Sequence, residues 1–541
     1  MSFKNLERLL SVILMLFSFQ VAGQNYFIEQ ALLFSRQNAG GSARVQAMGG
    51  AQVALGGDYS SALSNPAGLG LYNRNEFTIT PAFTINSSNS TYTTNEFDTN
   101  GKIIASKFSS PFSSSNLSLP GLSIVFGADK NDDRAPFLGG TFAITLNRIN
   151  DFNGGIEYKG QNNGTSIIDY FKEVSDGFTK DQFDSNFDPN KSAQGQGDNV
   201  NTPAFLGYET YLIGPTTTNG TIYFTDVIGK PLQSETVKTS GSQNQWNISY
   251  GANFADKIFV GAGLGINSVR YSYDKAYKEN YEGQKMNCNG CFNNLVLNET
   301  RSTTGSGINL TLGGIYKPID FFQIGISYVT PSAYQLNDTY NGSARTSWNN
   351  FDYYGNGKRI LTNEKSSTID DPVSYGLNTP ARFTFGAAIF YPKKGFISFD
   401  VEMIDYSHAT TSSFSQQYYS LTIDANSEVN SKVSTRFKSA TNIRIGGEYR
   451  IKKFRVRGGY NIMGDPYLRK PTDRINYSLT NLSSISGGVG YRDAKFFVDL
   501  AVINTQGDGY YVPYSVATPI SPYVNYTNSI TRIIFTVGFP F

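Results

Sequence analysis

The final ten residues, "RIIFTVGFPF" (532–541), keep the alternation of a β-strand up to the last residue. The apolar side chains on one face of that strand are Ile533, Phe535, Val537, Phe539 and Phe541. Chain termini ordinarily fray in water, so a strand that stays apolar to its end is expected to be paired and to face an apolar medium. Because open sheet edges are not tolerated within a bilayer, we expect this strand to close a transmembrane barrel against the first strand.

Similar extended segments recur along the chain. Each is at least as long as a tilted strand needs to be to cross a bilayer. The fourteen segments lie near 75–86, 119–128, 138–149, 243–254, 257–274, 304–317, 320–332, 380–392, 395–408, 437–451, 453–463, 481–492, 494–505 and 529–541. The sequence therefore predicts an all-β fold, an antiparallel transmembrane barrel of about fourteen strands.

The connections between these segments alternate in length. The short ones are 255–257, 317–320, 391–395, 451–454 and 492–495. The long polar ones are 87–118, 150–242, 275–303, 333–379, 409–436, 464–480 and 506–528. Short turns on one side and long loops on the other are typical of transmembrane barrels.

Charged residues alternate with apolar ones in several of the predicted strands. In "NIRIGGEYRI" (442–451), Ile443 and Ile445 share one face, and Arg444 and Glu448 share the other. Because charge is costly in lipid, the charged face is expected to line the lumen. The candidate lumen charges are Asp400, Glu402, Arg444, Glu448, Arg450, Arg455 and Arg457. Two interpretations stay open: structural ion pairs, or arginines that hold a carboxylate head group, which suits guanidinium geometry.

The N-terminal stretch "MSFKNLERLLSVILMLFSFQVAG" (1–23) has the layout of a secretory signal peptide. It combines basic residues, a short apolar run and small residues before a cleavage site expected near Gly23/Gln24. We expect a signal peptide over 1–23, an N-terminal segment over 24–73 and the barrel over 74–541. The predicted location is the bacterial outer membrane.

Other classes of function find little support in the composition. A formal charge of +2 gives no reason to expect nucleic-acid binding. The single histidine, His408, offers little for catalysis or for a transition-metal site, so we expect neither an enzyme nor a cofactor. Cys288 and Cys291, in "CNGC", are expected to form a small disulfide-closed turn in an exported protein.

The segment between the signal peptide and the first strand is rich in small residues. Ile28, Ala31, Leu32 and Ser35 are spaced as on a helix. The residues after it that carry a family resemblance are Gly41, Arg44, Gly49, Gly50, Ala51, Ala54, Asp58, Asn65, Pro66, Ala67, Gly68 and Leu69. In this pattern the chain resembles the FadL-like outer-membrane transporters of long-chain fatty acids and other hydrophobic compounds.

The resemblance implies a short hatch folded inside a fourteen-stranded barrel, with Asn65-Pro66-Ala67 just before the first strand. Asp58 and Asn65 are expected to cap short helices or to bond wall residues such as Arg444 or Arg455. The motif either only holds the hatch in shape or also contacts the ligand. Expected partners are a hydrophobic small molecule, outer-membrane lipids and the outer-membrane assembly machinery, which would read the terminal aromatic residue.

Two functions fit these expectations. The first is transport of hydrophobic molecules, with capture by Phe205, Tyr208 and Leu212 in the largest loop (150–242). The second is a barrel of the same shape that binds or shuttles proteins in a secretion or assembly complex, using its long loops.

The resemblance also implies that ligand leaves sideways, through a gate in the barrel wall. Proline has no N–H to donate to a β-ladder. Pro81 and Pro120 lie at similar depth on the first two strands, and Gly121 follows Pro120. The sequence therefore predicts weakened backbone pairing between strands one and two at this level. The alternative is that Pro120 merely begins the second strand, or that the missing donors point away from the shared seam.

Overall fold

The computed structural model describes residues 21–72, 74–127, 136–185, 202–217, 220–282, 291–369, 372–412, 423–468 and 476–541. Most of these residues belong to one continuous antiparallel sheet. Its segments are β1 (Glu76–Phe97), β2 (Ile103–Gly127), β3 (Phe137–Asp151), β4 (Gly154–Gln161), β7 (Leu232–Phe254), β8 (Ile258–Asn280), β9 (Phe292–Ile319), β10 (Phe322–Val329), β11 (Ala333–Asp352), β12 (Ile360–Ile369), β13 (Val373–Asn378), β14 (Arg382–Tyr391), β15 (Gly395–Asp405), β16 (Thr410–Ser412), β17 (Ser439–Ile451), β18 (Phe454–Ile462), β19 (Tyr477–Arg492), β20 (Phe497–Tyr511) and β21 (Tyr523–Pro540). The segments β5 (Gly214–Pro215) and β6 (Tyr223–Phe224) form a separate small hairpin.

The sheet closes into a barrel of fourteen strands, as predicted. Four barrel strands are interrupted and consist of β3 with β4, β10 with β11, β12 with β13 and β14, and β15 with β16. The last strand, β21, pairs with β1 from Pro540 opposite Glu76 to Tyr523 opposite Thr93. The backbone N–H of Phe541 donates to the carbonyl of Asn75, 3.2 Å away. The expected closure of the last strand against the first is confirmed.

An apolar belt surrounds the outer surface of the barrel. On β7, Trp246, Ile248 and Tyr250 are between 41% and 46% exposed. The residues between them, Asn247 and Ser249, are 1% and 2% exposed because they face the lumen. This alternation is what a strand needs when one face meets lipid and the other lines a polar interior.

The strands continue well beyond the belt at the end opposite the short turns, here called the outer end. The predicted loop 87–118 is in fact the outer half of a hairpin, which turns at Asp98–Lys102 between β1 and β2. Much of 275–303, 333–379 and 506–528 is likewise strand. The sequence predicts loops in these stretches because the outward faces of the strands are polar there. A strand that meets water instead of lipid loses the apolar alternation by which it is recognised.

Helical segments lie inside the barrel and at its outer end. They are α1 (Val21–Ser35), α2 (Ala43–Gln46), α3 (Ser61–Ser64), α4 (Ile167–Ser175), α5 (Lys180–Ser185), α6 (Thr202–Glu209) and α7 (Ile423–Arg436), with 3-10 helices at Pro66–Leu71 and Tyr406–His408. The predicted helix is confirmed, and Ile28, Ala31, Leu32 and Ser35 form its buried face. Residues 1–20 of the predicted signal peptide lie outside the described residues, and its cleavage stays a prediction. Among the described helices, none has both the length and the apolar character to span a membrane.

Two apolar clusters fill the barrel above the belt. The inner cluster packs α1 against α7 and against wall residues such as Tyr271, Tyr334 and Leu336. The outer cluster joins α4 and α6 to side chains from the outer ends of the strands, including Phe292 and Trp348. The described part of the largest predicted loop, with α4, α6 and the β5–β6 hairpin, is therefore folded over the outer end of the barrel and is here called the cap.

Candidate functional site

The N-terminal segment forms a hatch that fills the barrel at the short-turn end. Its residues lie directly against glycines of the wall. An added Cβ atom on any of these glycines would come too close to atoms of the hatch or of an adjacent strand. These glycines are Gly251, Gly261, Gly313, Gly325, Gly386, Gly446 and Gly459. They come from seven strand segments around the wall, so the absence of side chains lets the hatch sit flush against it.

Asn65 of the predicted motif joins the hatch to the wall. Its Nδ2 donates to the carbonyls of Val53, 2.7 Å away, and of Gly314 on β9, 3.2 Å away. Its Oδ1 accepts from the N–H of Ala67 at 3.2 Å and so caps the 3-10 helix that begins at Pro66. The expected capping geometry is present at Asn65, and a contact between this motif and a ligand stays a prediction.

Asp58 organises the interior of the hatch. It accepts hydrogen bonds from the hydroxyls of Ser42 (2.8 Å) and Ser60 (2.6 Å) and from the N–H of Ser60 (3.0 Å). Its carboxylate lies 3.8 Å from Nη1 of Arg44. Asp58 thus contacts Arg44 of the hatch itself, in place of the wall residues Arg444 and Arg455 that the sequence suggested.

Glu448 on β17 is the centre of a buried charge network. Its carboxylate accepts from Nε of Arg44 (3.3 Å), of Arg450 (2.9 Å) and of Arg457 (2.9 Å), and Nε of Arg455 lies 3.9 Å away. Glu448 therefore holds the hatch, through Arg44, to two neighbouring wall strands. The sequence indicated the wall charges, but the spacing along the chain gave no signal that Arg44 reaches them.

The network extends to residues that the sequence analysis did not single out. Nη1 of Arg457 donates to Asp499 on β20 at 2.6 Å, and Nη2 of Arg492 lies 3.6 Å from the same carboxylate. The four wall residues of this network lie on four consecutive strands of the barrel: Glu448 on β17, Arg457 on β18, Arg492 on β19 and Asp499 on β20. A charge on a neighbouring strand can be found only once the register is known.

Asp400 and Glu402 on β15 serve different parts of the interior. Asp400 accepts from the backbone N–H groups of Gln52 (2.7 Å) and Val53 (3.0 Å), which fastens the hatch to the wall. Glu402 accepts from Arg444 and from Asn442, each at 2.7 Å. Every predicted lumen charge is therefore near another charge or a hatch donor, which is the arrangement expected of structural pairs.

The pairing of β1 with β2 changes register at the two predicted prolines. Thr80 lies opposite Gly121, but the next pair is Ala82 with Ser118, so Pro81 has no partner on β2. Gly121 also makes room for the hatch, because a Cβ there would overlap the hydroxyl of Tyr59. The ladder resumes on both sides of the shift, and a gate at this seam stays a prediction.

A longer break lies in the next seam, between β2 and β3. Their ladder extends only from Gly121 opposite Asn147 to Gly127 opposite Thr141. Beyond it, β3 bends at Arg148–Asn150, and β4 continues the strand paired with β7 alone. The outer part of β2, residues 103–120, therefore has a ladder on its β1 side only.

The lost ladder is replaced by contacts through the lumen side of the β1–β2 hairpin. Oγ of Ser88 donates to the carbonyl of Gly155 at 2.8 Å, and Tyr92 stacks on Tyr158 with ring centroids 4.3 Å apart. Phe112 packs on Gly155, where a Cβ would crowd its ring. Strand β4 thus lies on the lumen side of the β1–β2 hairpin and is not paired with β2. The two parts of the wall overlap there and are held together by side-chain contacts.

This architecture is similar to that of a solved Pseudomonas aeruginosa FadL homologue. The TM-score is 0.52 at 12% sequence identity, and the match covers 93% of this chain and 98% of that chain. This chain has a FadL-like fold. Two other similar structures are the P. putida toluene transporter TodX (TM-score 0.45, 14% identity, covering 92% of this chain and 98% of that chain) and the CymD monoaromatic hydrocarbon channel (TM-score 0.44, 14% identity, 93% and 98%). No family model and no curated protein sequence matches the chain.

The cap of this FadL-like barrel is held by a buried carboxylate, Glu279 on β8. It accepts from the hydroxyls of Ser166, Tyr277 and Tyr281, from the N–H of Ile167 and from Nε2 of Gln233, at 2.6–2.8 Å. Two of these donors belong to the first turn of α4, which Ser166 caps. Glu279 thus anchors the cap to the outer end of the wall.

The residues predicted to capture ligand lie within the cap of the FadL-like barrel. Phe205 is 7% and Leu212 0% exposed, and both belong to the outer cluster. Tyr208 packs against that cluster and stacks on Phe183. The surface exposure that a capture role requires is therefore absent at Phe205 and Leu212, because the loop packs these side chains against the barrel, whereas Tyr208 is half-buried.

The remaining candidate residues of the FadL-like barrel are the two cysteines and the single histidine. Cys291 is disulfide-bonded, and Cys288 lies outside the described residues. Nδ1 of His408 lies 2.9 Å from Asp405 at an exposed site. The described ranges contain no group of three or more side chains of the kinds that hold a metal ion.

Proposed function

We propose that the protein carries hydrophobic small molecules such as long-chain fatty acids across the bacterial outer membrane. In this proposal a molecule is captured at the outer surface, enters the hatch-filled lumen and leaves sideways through the wall. The observation that carries the proposal is the seam between β2 and β3, which loses its backbone ladder beyond Gly121 and Asn147.

The position of the seam suits a lateral exit. Leu117, beside the unpaired edge, is 79% exposed on the outward face, and Leu119 is 41% exposed. An apolar molecule that passed from the lumen at this level would enter lipid without crossing water, which favours it by the free energy of apolar burial.

Straight passage along the barrel axis is obstructed by the hatch. The hatch backbone lies against wall glycines on most sides, and Asp400, Asn65 and Glu448 bond it to the strands. Straight passage would require several of these buried bonds to break together, whereas lateral passage at the seam leaves them in place.

The proposed capture surface is an exposed apolar patch on the cap. Its members lie on or beside the hairpin β5–β6 and the turn between β11 and β12: Ile222, Phe224, Ile228, Tyr354 and Ile360, which are 38–62% exposed. An exposed patch of this kind is typical of a binding surface for an apolar molecule. It takes the place of Phe205, Tyr208 and Leu212, whose replacement by serine is now expected to unfold the cap.

The test is to bridge the seam chemically. Ser118 on β2 and Asn150 on β3 line the same pocket at the break, and a bifunctional maleimide would join cysteines in S118C/N150C. The matched control is S123C/T145C, a pair that lies opposite within the intact part of the same ladder. Bridging the first pair should lower oleate uptake in a bacterial strain without its own fatty-acid uptake, and bridging the second should not.

Unchanged uptake after complete bridging at residues 118 and 150 would remove lateral exit from the proposal. If the unmodified protein gave no uptake of oleate in such a strain, and none of an uncharged hydrophobic compound, transport itself would be refuted.

Protein binding is a second candidate function, favoured by the free edge of β2. Residues 103–118 lie largely outside the apolar belt, and their ladder on one side is missing, so a strand from another chain could pair there. A protein partner that co-purifies in stoichiometric amount from native membranes, and is lost when Ser109 on this edge is replaced by proline, would support this candidate. Absence of such a partner would favour transport.

A further inference from the structure

Three neighbouring short turns carry a cluster of exposed lysines, at the end of the barrel opposite the cap. The turns lie between β14 and β15, between β17 and β18, and between β19 and β20. They are adjacent on the rim because β15 pairs with β17 and β18 pairs with β19. All five lysines of these turns are exposed and are here called the basic arc: Lys393, Lys394, Lys452, Lys453 and Lys495.

Backbone hydrogen bonds hold the three turns side by side. The N–H of Arg450 donates to the carbonyl of Lys394 at 2.7 Å, and the N–H of Arg492 donates to the carbonyl of Lys453 at 3.0 Å. Neighbouring strands of a sheet lie about 4.8 Å apart. The lysines therefore project from one continuous sector of the rim, where their positive charges act together.

Only one lysine of the basic arc has an acidic partner among the residues that the structure describes. Nζ of Lys453 lies 2.9 Å from Asp493, and the other four lysines form no ion pair there. Uncompensated charges of one sign on a surface raise the local concentration of counter-ions. The basic arc is therefore an electrostatic site for anions.

The other described short turns are balanced in charge. In the turn between β9 and β10, Nζ of Lys317 lies 2.9 Å from Asp320. In the turn between β7 and β8, Lys257 follows Asp256 directly. The excess of positive charge therefore belongs to one side of the rim, from β14 to β20, and is not shared by these two turns.

The outward side chains next to the basic arc are apolar and strongly exposed. Tyr391 is 70% exposed and Phe454 60%, and Tyr449 and Ile451 are 52% and 51% exposed. They belong to the apolar belt, and aromatic residues at the edge of such a belt mark the boundary between lipid and water. The ammonium groups of the basic arc therefore lie at the level of the lipid head groups, which long lysine side chains can reach.

We propose that the basic arc binds the phosphate groups of anionic phospholipids in the inner leaflet of the outer membrane. Short turns of bacterial barrels lie on the periplasmic side, where phospholipid head groups form the membrane surface. Lysines beside an anionic membrane surface add to the attraction one by one. The neighbouring belt favours a lipid over an acidic protein, because a lipid both neutralises the lysines and covers the exposed rings with its acyl chains.

The basic arc lies on the side of the barrel that fastens the hatch. Asp400 on β15 bonds the hatch backbone, and Glu448 on β17 bonds Arg44. Strands β21 and β1 separate this sector from β2, and so from the β2–β3 seam. Anionic lipid would thus bind against the strands that hold the hatch, and its binding does not depend on the transport function proposed above.

The test compares phosphatidylglycerol with phosphatidylcholine of the same acyl chains, which differ in net charge. The purified full-length protein is equilibrated with equal amounts of the two lipids in a non-ionic detergent, and native mass spectrometry gives the ratio in which they are retained. The wild-type protein should retain more phosphatidylglycerol. K393Q/K394Q/K452Q/K495Q should lower the ratio roughly tenfold or more, because four of the attracting charges are lost.

Matched variants separate the charge of the basic arc from other effects of substitution. K159Q/K238Q/K278Q/K365Q removes four exposed lysines from strand parts beyond the belt and should leave the ratio unchanged. K393R/K394R/K452R/K495R keeps the charge and should keep the preference for phosphatidylglycerol. D493N removes the acidic partner of Lys453 and should raise the ratio. Folding of each variant is checked by its heat-dependent mobility on electrophoresis.

Three outcomes would overturn the proposal. The first is an unchanged ratio in the folded glutamine variant, or an equal loss in the variant with four substitutions beyond the belt. The second is loss of the preference when inorganic phosphate is added at the concentration of phosphatidylglycerol, which would indicate a site for free anions. The third is equal retention of both lipids by the wild-type protein, together with an acidic protein that co-purifies from native membranes and is lost in the glutamine variant. The basic arc would then be a protein-binding surface.

Discussion

Asn65 of the hatch and Gly313 of β9 are in direct contact, since a Cβ atom on Gly313 would overlap the side-chain oxygen of Asn65. The same asparagine donates to the carbonyl of the next residue, Gly314, at 3.2 Å. Only the absence of a side chain on β9 lets the hatch come close enough for this bond. The position of the hatch thus depends on both Asn65 and Gly313. The hydrogen bond itself joins two residues, Asn65 and Gly314, that lie 249 positions apart in the chain.

G313A is expected to push Asn65 out of its place and loosen the hatch. The physical reason is steric, because the new methyl group meets a buried side chain that is held by three hydrogen bonds. We expect increased permeability to small solutes, measured by swelling of liposomes that contain the protein. G314A is the matched control, since a Cβ there would meet only a methyl group of Ile326 at 3.3 Å. Equal swelling for the two variants would argue against the contact.

E448Q should destabilise the folded protein strongly. The substitution leaves Arg44, Arg450 and Arg457 near a neutral side chain, and removing one partner of a buried ion pair costs about 3–5 kcal/mol. The free energy of unfolding can be measured by urea titration in lipid vesicles. Glu157 on β4 is exposed and forms no ion pair with any residue that the structure describes, so E157Q is the control. A similar loss in both variants would contradict a special role for Glu448.

E279Q is expected to loosen the cap without unfolding the barrel. An amide can replace one carboxylate oxygen, but its NH₂ group would face the donors that now bond to the other. The expected local cost is about 2–3 kcal/mol. Hydrogen exchange of the α4 backbone should therefore become faster, while exchange in β20 and β21 stays unchanged. E282Q, at an exposed glutamate three residues along the chain, should have no such effect.

Asp338 on β11 should make the outer part of the barrel less stable as the pH rises. It lies above the apolar belt, since its outward-facing neighbours are Gln335, Asn337 and Thr339. Burial raises the pKa of Asp338 to about 6, against which Thr303, Tyr375, Arg301 and Gln30 act only in part. The folded state therefore binds more protons than the unfolded state between about pH 4 and 6, and stability falls across that window as the pH rises.

The size of this effect is at most about 3 kcal/mol, which corresponds to a shift of roughly two pH units. The measurement is the urea midpoint of unfolding at several pH values. D338N, which keeps the shape but cannot ionise, should flatten the dependence in this window. A wild-type and a D338N curve with the same slope would exclude Asp338 as the source.

The apolar alternation of the strands was enough to predict their number and their closure. Ile443 and Ile445 face lipid, and Arg444 between them faces the lumen. The bilayer imposes this two-residue period on every spanning strand, so the pattern is local and readable. The burial of Ile28, Ala31, Leu32 and Ser35 was predictable for the same kind of reason, because a helix also places its buried side chains at a fixed local period.

Contacts between distant segments could not be predicted in this way. Arg44 and Glu448 are 404 positions apart, and Arg532 lines a pocket with Arg148 because β3 bends where β2 does not follow. The continuation of β1 and β2 outside the membrane was hidden for another reason, since nothing apolar marks a strand in water. The sequence by itself determined what each spanning strand presents to lipid and to the lumen, because the membrane acts on each residue separately. Which charges meet, where the hatch is seated and where the wall opens were decided by the tertiary structure, because they depend on the register between strands and on how the barrel closes.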